Sequence, residues 1–172
     1  RLFEDLGCYG CHDTLGFGED KRRMIGPGLR NIKNKVGAKW ITAWIKDPKG
    51  FRPTTLMPDF RLTEEEAQAI AAYLWQHADE KGIYEEMPAF DDEQLSQGDF
   101  LFEQMGCMAC HTYEKDAERG FAPNLARIGE KTNYGYLVEW IMNPQGKEPL
   151  TRMPSFRMSQ ERASLVAGYL IH

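Results

Sequence analysis

Two short segments of this chain carry residue types that can do chemistry at close spacing. Cys8 and Cys11 are two residues apart with His12 directly behind them, and Cys107, Cys110 and His111 repeat the arrangement; these are all four cysteines of the chain. Four cysteines in an exported chain would ordinarily read as two disulfides. A pair with only two residues between its members points instead to redox, metal or haem chemistry. Zinc generally takes two such pairs about 12–20 residues apart, far closer than these. A thioredoxin-type pair needs a βαβ setting, of which the sequence has no sign. Cys-x-x-Cys-His is the attachment sequence of c-type haem. Its spacing lets two thiols on one helical turn reach the two vinyl groups of a single porphyrin, and the adjacent histidine then lies under the iron as proximal ligand.

Iron in a low-spin electron carrier takes a sixth ligand, commonly methionine opposite histidine. There are eight methionines, and any one of them is more often core filler than ligand. Met57 and Met153 are the only two in equivalent positions of the two halves, 45 and 42 residues after His12 and His111. Each is followed by a proline (Pro58, Pro154) and preceded four residues earlier by another (Pro53, Pro149). Prolines on both sides restrict the chain and lower the entropy cost of holding sulfur on iron. Met24, Met87 and Met158 face no methionine in the other half and read as packing. His77 and His172, at a helix end and the chain end, read as solvated.

The elements that must position these residues are also written twice. Gly7-Cys8-Tyr9-Gly10-Cys11-His12 returns as Gly106-Cys107-Met108-Ala109-Cys110-His111, an offset of 99; beyond the cysteines the offset settles at 96. Pro27-Gly28-Leu29 matches Pro123-Asn124-Leu125, Trp44 to Pro48 matches Trp140 to Pro144, and Thr55 to Arg61 matches Thr151 to Arg157. The second copy is thus three residues shorter just after its histidine. Each copy predicts a short helix ending at the cysteine motif, with Phe3 and Leu6 answered by Phe102 and Met105. A central helix with Ile41, Trp44 and Ile45 follows, with Pro48 or Pro144 beyond its end. A proline-bracketed loop then leads to a last helix. Thr63 and Glu66 form a capping box there, whereas Ser159 can cap the second copy with Arg162 in place of the glutamate. Ala67, Ile70, Ala71 and Leu74 recur as Ala163, Val166, Ala167 and Leu170, one helical face. No alternation predicts a strand, so the fold class is all-α. The organisation is a first domain over 1–80, an acidic linker over 81–91 and a second domain over 92–172.

Composition narrows the function classes. The chain is 42% apolar and 27% charged with a mean hydropathy of −0.55, as in a soluble globular protein. No apolar run approaches the roughly 20 residues that span a bilayer. A net charge of −5 argues against nucleic acid as a partner. Residues 1–80 balance 12 basic against 12 acidic side chains, while residues 81–95 hold one basic and five acidic. The chain opens on Arg1 rather than methionine, and copy one lacks the upstream part of the first helix that copy two has from about Asp92. A trimmed or partial chain is therefore expected.

The full set of motifs resembles the class I cytochrome c family, duplicated as a dihaem cytochrome c. Gly-Cys-x-x-Cys-His near the start of each copy, a Gly-Pro-x-Leu segment at Gly26 to Leu29 and a late Met-Pro carry the resemblance, which covers essentially the whole chain. Copy two departs from it at one point, with Ala122 where copy one has Gly26, so a slightly different turn is expected. The resemblance implies two haem c groups, attached through Cys8 and Cys11 and through Cys107 and Cys110. It also implies iron ligation by His12 with Met57 and by His111 with Met153. Pro27 and Pro123 would accept a hydrogen bond from the histidine Nδ1 through their carbonyls, and the first helix would cross the last through Gly98, Phe102 and Tyr169, or Phe3 and Tyr73. Two domains of about 80 residues are near the lower limit for a self-sufficient core, and a haem at the centre of each would answer that.

With both axial positions filled by protein, the implied function is electron transfer between respiratory redox proteins, outside the cytoplasm in the bacterial periplasm, and not enzymatic turnover. The chain could be the cytochrome portion of a larger membrane-anchored complex. The rival readings are a dihaem peroxidase-like enzyme and a haem-based redox or gas sensor, each of which needs an open or displaceable ligand position. Residues 19–39 hold seven basic side chains against two acidic, while 114–135 hold four of each. That asymmetry reads either as a solvated face, with one arginine neutralising a haem propionate, or as a basic rim on domain one that steers an acidic partner.

Overall fold

A computed structural model describes residues 1–13, 25–79, 86–114, 121–149 and 151–172. The chain divides into two compact units, Arg1–Gly82 and Ile83–His172. Among the described residues the regular structure is helical and no strand forms, as the periodicity predicts. None of the described helices is long and apolar enough to cross a membrane.

In the first unit, helix α1 (Leu2–Asp5) leads into a 3-10 turn over Cys8–Gly10. Helices α2 (Ile32–Lys35), α3 (Ala38–Lys46), α4 (Pro48–Phe51) and α5 (Glu64–His77) follow. Helix α5 starts at the expected capping box: the Thr63 hydroxyl accepts from Glu66 N and the Glu66 carboxylate accepts from Thr63 N. Three glutamates in its first turn and His77 in its last also suit the helix dipole. It buries Ala67, Ile70, Ala71 and Leu74 against Phe3, Ile32, Val36, Ile41 and Ile45. The small Ala67 and Ala71 let neighbouring helices come close, while each buried isoleucine or leucine contributes about 1.5–3 kcal/mol of transfer free energy.

The second unit repeats this order with a longer first helix. Helix α6 (Asp92–Gln104) precedes a 3-10 turn over Cys107–Ala109, then α7 (Ile128–Lys131), α8 (Tyr134–Met142), α9 (Pro144–Lys147) and α10 (Gln160–Ile171). Its α6 opens on a capping box of Asp91 and Gln94, which the sequence reading passed over. Ser159 caps α10 through Arg162 N at 3.3 Å. Helix α6 crosses α10 where Gly98 has no side chain: a Cβ there would lie 2.8 Å from Tyr169 Cβ and closer still to the Leu165 carbonyl. Phe102 and Tyr169 meet at 5.9 Å beside this crossing, and Phe3 and Tyr73 meet at 5.5 Å in the first unit. Phe90, in the stretch read as linker, packs over Gly168 and lies 6.0 Å from Tyr134.

Two local expectations need correcting. Pro48 and Pro144 do follow the central helices, but each opens a further one-turn helix, with Asp47 or Asn143 capping the amide of Gly50 or Gly146. Proline suits such a first position because its missing N–H would be unsatisfied there in any case. Met158 is buried in the core, as read, whereas Met87 is 39% exposed and is not core packing. Met24 lies outside the described residues. His77 and His172 are exposed, although His77 is not bare: its Nδ1 lies 2.8 Å from the Tyr73 carbonyl and its ring meets that of Tyr73 at 4.2 Å, tilted by 34°.

Because the α6–α10 crossing is set by the absent side chain, Gly98→Val should force the helices apart. We expect a loss of about 1–3 kcal/mol, typical of overpacking, measured by chemical denaturation of the protein.

Candidate functional site

Each cysteine motif begins at a glycine that only a residue without Cβ adopts readily. Gly7 (φ 69°) and Gly106 (φ 70°) are left-handed, and they end the first helix and start the 3-10 turn. Within that turn the two cysteines stand three residues apart on one face. The amide of His12 returns to the Cys8 carbonyl at 3.0 Å, and that of His111 to Cys107 at 2.9 Å. The thiols are free rather than joined. Burial pushes the Cys8 and Cys107 thiols up from their ordinary range, so both are protonated at neutral pH.

The imidazoles are locked by the loop that follows. His12 Nδ1 lies 2.7 Å from the Pro27 carbonyl, and His111 Nδ1 lies 2.7 Å from that of Pro123. A carbonyl can only accept, so Nδ1 carries the proton and Nε2 presents a lone pair. Burial is the largest influence on His12 and lowers its pKa, with Lys35 adding to it and the Pro27 bond opposing. His12 is thus a neutral imidazole, the form that can bind a metal. A Cβ on Gly26 would fall on the His12 ring, yet the second unit carries Ala122 there. The turn keeps the same backbone bond in both units, Gly26 N to Cys11 O at 2.8 Å and Ala122 N to Cys110 O at 2.9 Å.

Met57 and Met153 are half-buried and fixed from several sides. Their amides donate to Thr55 Oγ1 at 3.2 Å and Thr151 Oγ1 at 3.3 Å. Lys49 Nζ donates to the Thr55 carbonyl in the first unit, and Gln145, its counterpart, donates to the Met153 carbonyl at 2.6 Å. Most directly, Trp44 Nε1 donates to Met57 Sδ and Trp140 Nε1 to Met153 Sδ, both at 2.9 Å. Four residues on, Arg61 and Arg157 hold φ values of 53° and 51°, a left-handed bend that returns the chain to the last helix in both units.

The structure therefore holds the cysteines and histidine as one group and the methionine as another. Cys8 and Trp40 both pack against the first unit's core, and Trp40 stacks at 5.1 Å on the Trp44 that holds Met57. Among the described residues no three His, Cys, Asp or Glu side chains converge to chelate a bare metal ion. Sequence reasoning missed the indole donors. Their signal was present, since each tryptophan stands 13 residues before its methionine in both copies. It also missed the pairing of Arg30 with Asp13, two contacts of 3.1 Å. That pair has no counterpart in the second unit, where Thr112 and Ala126 stand at those places.

Parts of the chain are similar to known proteins. Residues 1–78 match the family model described as Cytochrome c, which supports a c-type cytochrome domain, and with it covalently bound haem c, in this part of the chain. The chain is 31% identical over 83 residues to cytochrome c oxidase subunit 2 of Alkalihalophilus pseudofirmus, covering 43% of this chain and 23% of that one. It is 25% identical over 132 residues to cytochrome c oxidase subunit 2 of Bacillus subtilis, covering 69% and 35%. A nitric oxide reductase subunit of Stutzerimonas stutzeri is 30% identical over 80 residues, covering 43% and 52%. The chain thus spans from about a quarter to about half the length of these relatives.

The tight seat of His12 makes a testable asymmetry. Gly26→Val should destabilise the first unit by about 1–3 kcal/mol, because the added carbons meet the ring. Ala122→Gly should cost the second unit no more than about 1 kcal/mol, the backbone-entropy term alone. Chemical denaturation of the two variants checks both.

Proposed function

We propose that this chain is a dihaem c-type electron carrier. One haem c is joined to Cys8 and Cys11 with His12 and Met57 as axial ligands; the second is joined to Cys107 and Cys110 with His111 and Met153. The observation that carries this reading is the duplication of the whole donor set in one geometry. Each unit offers two thiols on one turn, an imidazole with its proton on the proline side and a thioether fixed by an indole. Bound at such a site, a haem supplies one-electron exchange at its iron. The chain's own residues do the rest. Pro27 and Pro123 orient the rings and raise their basicity. Thr55 and Thr151 fix the methionine backbone, so little freedom is lost on ligation.

A peroxidase or sensor would need a displaceable ligand position, whereas both units present a clamped methionine. Electron transfer is therefore the better reading, and methionine opposite histidine favours the higher potentials of respiratory carriers. The relatives are named as subunits of an oxidase and a reductase. We propose that these units work outside the cytoplasm, in the periplasm, exchanging electrons with respiratory redox proteins, either alone or as the cytochrome portion of a larger complex.

The first unit is the better candidate for an acidic partner. Arg30 is committed to Asp13, and Lys21, Arg22 and Arg23 lie outside the described residues. The other described members of the basic rim are Lys33, 6.0 Å over the Trp75 ring, Lys35 and the exposed Lys39. Electrons would pass through the first haem at that partner and through the second elsewhere.

Two measurements test this reading. A pyridine haemochrome assay should count two haems per chain. Met57→Ala and Met153→Ala should each turn one haem high-spin and able to bind carbon monoxide when reduced; a Met153→Ala protein with both haems still low-spin and methionine-ligated would overturn the assignment. For the basic rim, changing Lys33, Lys35 and Lys39 to Gln should slow electron exchange with an acidic partner at low salt and flatten its ionic-strength dependence, since such steering is screened over about 8–10 Å. Stopped-flow rates equal to those of the unaltered protein at every salt concentration would leave these lysines as ordinary surface.

A further inference from the structure

The second unit carries a tyrosine cluster that takes no part in the donor set described above. Tyr113 and Tyr169 stack at 5.5 Å with their planes 27° apart, and Phe102 lies 6.1 Å from the first ring and 5.9 Å from the second. Both tyrosines are half-buried, so a small solute can reach their edges. The Tyr169 hydroxyl bonds to the Asp99 carboxylate, and Glu103 adds a second negative charge to its surroundings. Burial, reinforced by that bond, pushes the hydroxyl up to about 12, so at neutral pH it is protonated and donates. Asp99 is on α6 and Tyr169 on α10, which places the bond at the crossing that Gly98 makes possible. The cluster is not repeated in the first unit. There Tyr73 meets Phe3 and His77, and Thr14 stands in the place of Tyr113.

A phenol gives up an electron most readily when a base already holds its proton and negative charge lies close. Tyr169 meets both conditions, and its aromatic neighbours do not. Lys147 lies 6.0 Å over the Tyr136 ring, where its positive charge opposes the loss of an electron. The Trp140 N–H points at a thioether sulfur, a weak acceptor that does not take the proton. We propose that Tyr169, with Asp99 and Tyr113, is a site of oxidative modification, at which one-electron oxidants such as nitrogen dioxide or peroxyl radicals join the two tyrosine rings. One oxidant molecule takes an electron from Tyr169, and the phenolic proton passes along the existing hydrogen bond to Asp99. A second oxidant molecule takes an electron from Tyr113, whose proton leaves to solvent. The two phenoxyl radicals then form a carbon–carbon bond between ring positions beside their hydroxyls, and the hydrogens on those carbons return to the oxygens. Two electrons have gone to two oxidant molecules and two protons to Asp99 and water. The bond ties the segment behind His111 covalently to the last helix, and it forms whatever ligands the iron carries.

The test exposes the dilute full chain to tris(bipyridine)ruthenium(III), generated by light with persulfate as the final electron acceptor. Dityrosine fluorescence should rise, and mass spectrometry of a tryptic digest should find a peptide pair joined through Tyr113 and Tyr169, two hydrogens lighter than its parts. Tyr113→Phe and Tyr169→Phe keep the ring packing and should each abolish this pair. Asp99→Asn keeps both phenols but removes the proton acceptor. It should slow formation of the cross-link about tenfold at limiting oxidant, because a hydrogen bond to a charged group is worth at least about 1.4 kcal/mol. If a phenylalanine variant does not fold, the Asp99→Asn rate and the site of the cross-link in the unaltered chain decide the matter. A cross-link between other tyrosines, dityrosine formed only between separate chains, oxidation that lands first on tryptophan, or an Asp99→Asn rate equal to that of the unaltered chain would each refute the proposal. The haem count and the carbon monoxide binding of the methionine variants are read separately, so neither result decides the other.

Discussion

A hydrogen bond of 2.7 Å from a histidine Nδ1 to a proline carbonyl ties the cysteine turn to the rest of each unit. It spans 15 residues in the first unit and 12 in the second, yet its length is the same. The loop between its ends can therefore change in length without moving the ring. What stays constant is the frame around it: a left-handed glycine before the first cysteine, an amide returned to the second cysteine's carbonyl, and a leucine amide returned to the residue after the histidine. Leu29 donates to Asp13 at 2.9 Å and Leu125 to Thr112 at 2.8 Å. These bonds orient the imidazole and bring the next segment, with its short helix, onto the last helix of the unit.

The last helices complete the frame by close approach. Gly98 admits the backbone of α10, and Ala163 and Ala167 are wholly buried beside it. Small residues at a crossing favour one packing geometry over its neighbours, because any other spacing leaves a void or a clash. The methionine loop then hangs between two fixed points, the one-turn helix begun by Pro48 or Pro144 and the last helix. Its internal bonds to Thr55 or Thr151, and the clamp from Lys49 or Gln145, are local to that span. A sulfur anchored in this way has little freedom left when the indole reaches it.

The two units are copies in frame but not in charge. Asp13 and Arg30 form a partly buried ion pair in the first, whereas at the same place in the second the Thr112 hydroxyl is buried with no hydrogen-bond partner among the described residues. Phe51 closes an aromatic cage in the first; Lys147 and Glu139 form an ion pair in the second. Interactions in a poorly solvated site depend strongly on such neighbours. Two chemically identical donor sets in different fields give a pair of sites with a built-in difference.

Much of this was legible in the linear sequence, since the relevant signals are local or repeated. The cysteine–histidine spacing is one helical turn, the apolar faces of α5 and α10 follow the helical period, and the Thr63 cap is set within four residues. Duplication then singled out Met57 and Met153 from eight methionines by position alone. Other features were out of reach of local reasoning. One-turn helices such as α4 and α9 are too short to show a period, and only their capping Asp47 and Asn143 betray them. Met87 carries an apolar side chain, and only its place in the fold shows that it faces solvent. The pairing of Arg30 with Asp13 and the indole bonds to sulfur join residues 13 to 17 apart in sequence, across loops whose paths no pattern dictates. The donor types and their spacing were thus determined by the chain itself. Which neighbours hold them, and in what electrostatic surroundings, was decided by the tertiary structure, because side chains from different helices meet only once those helices pack.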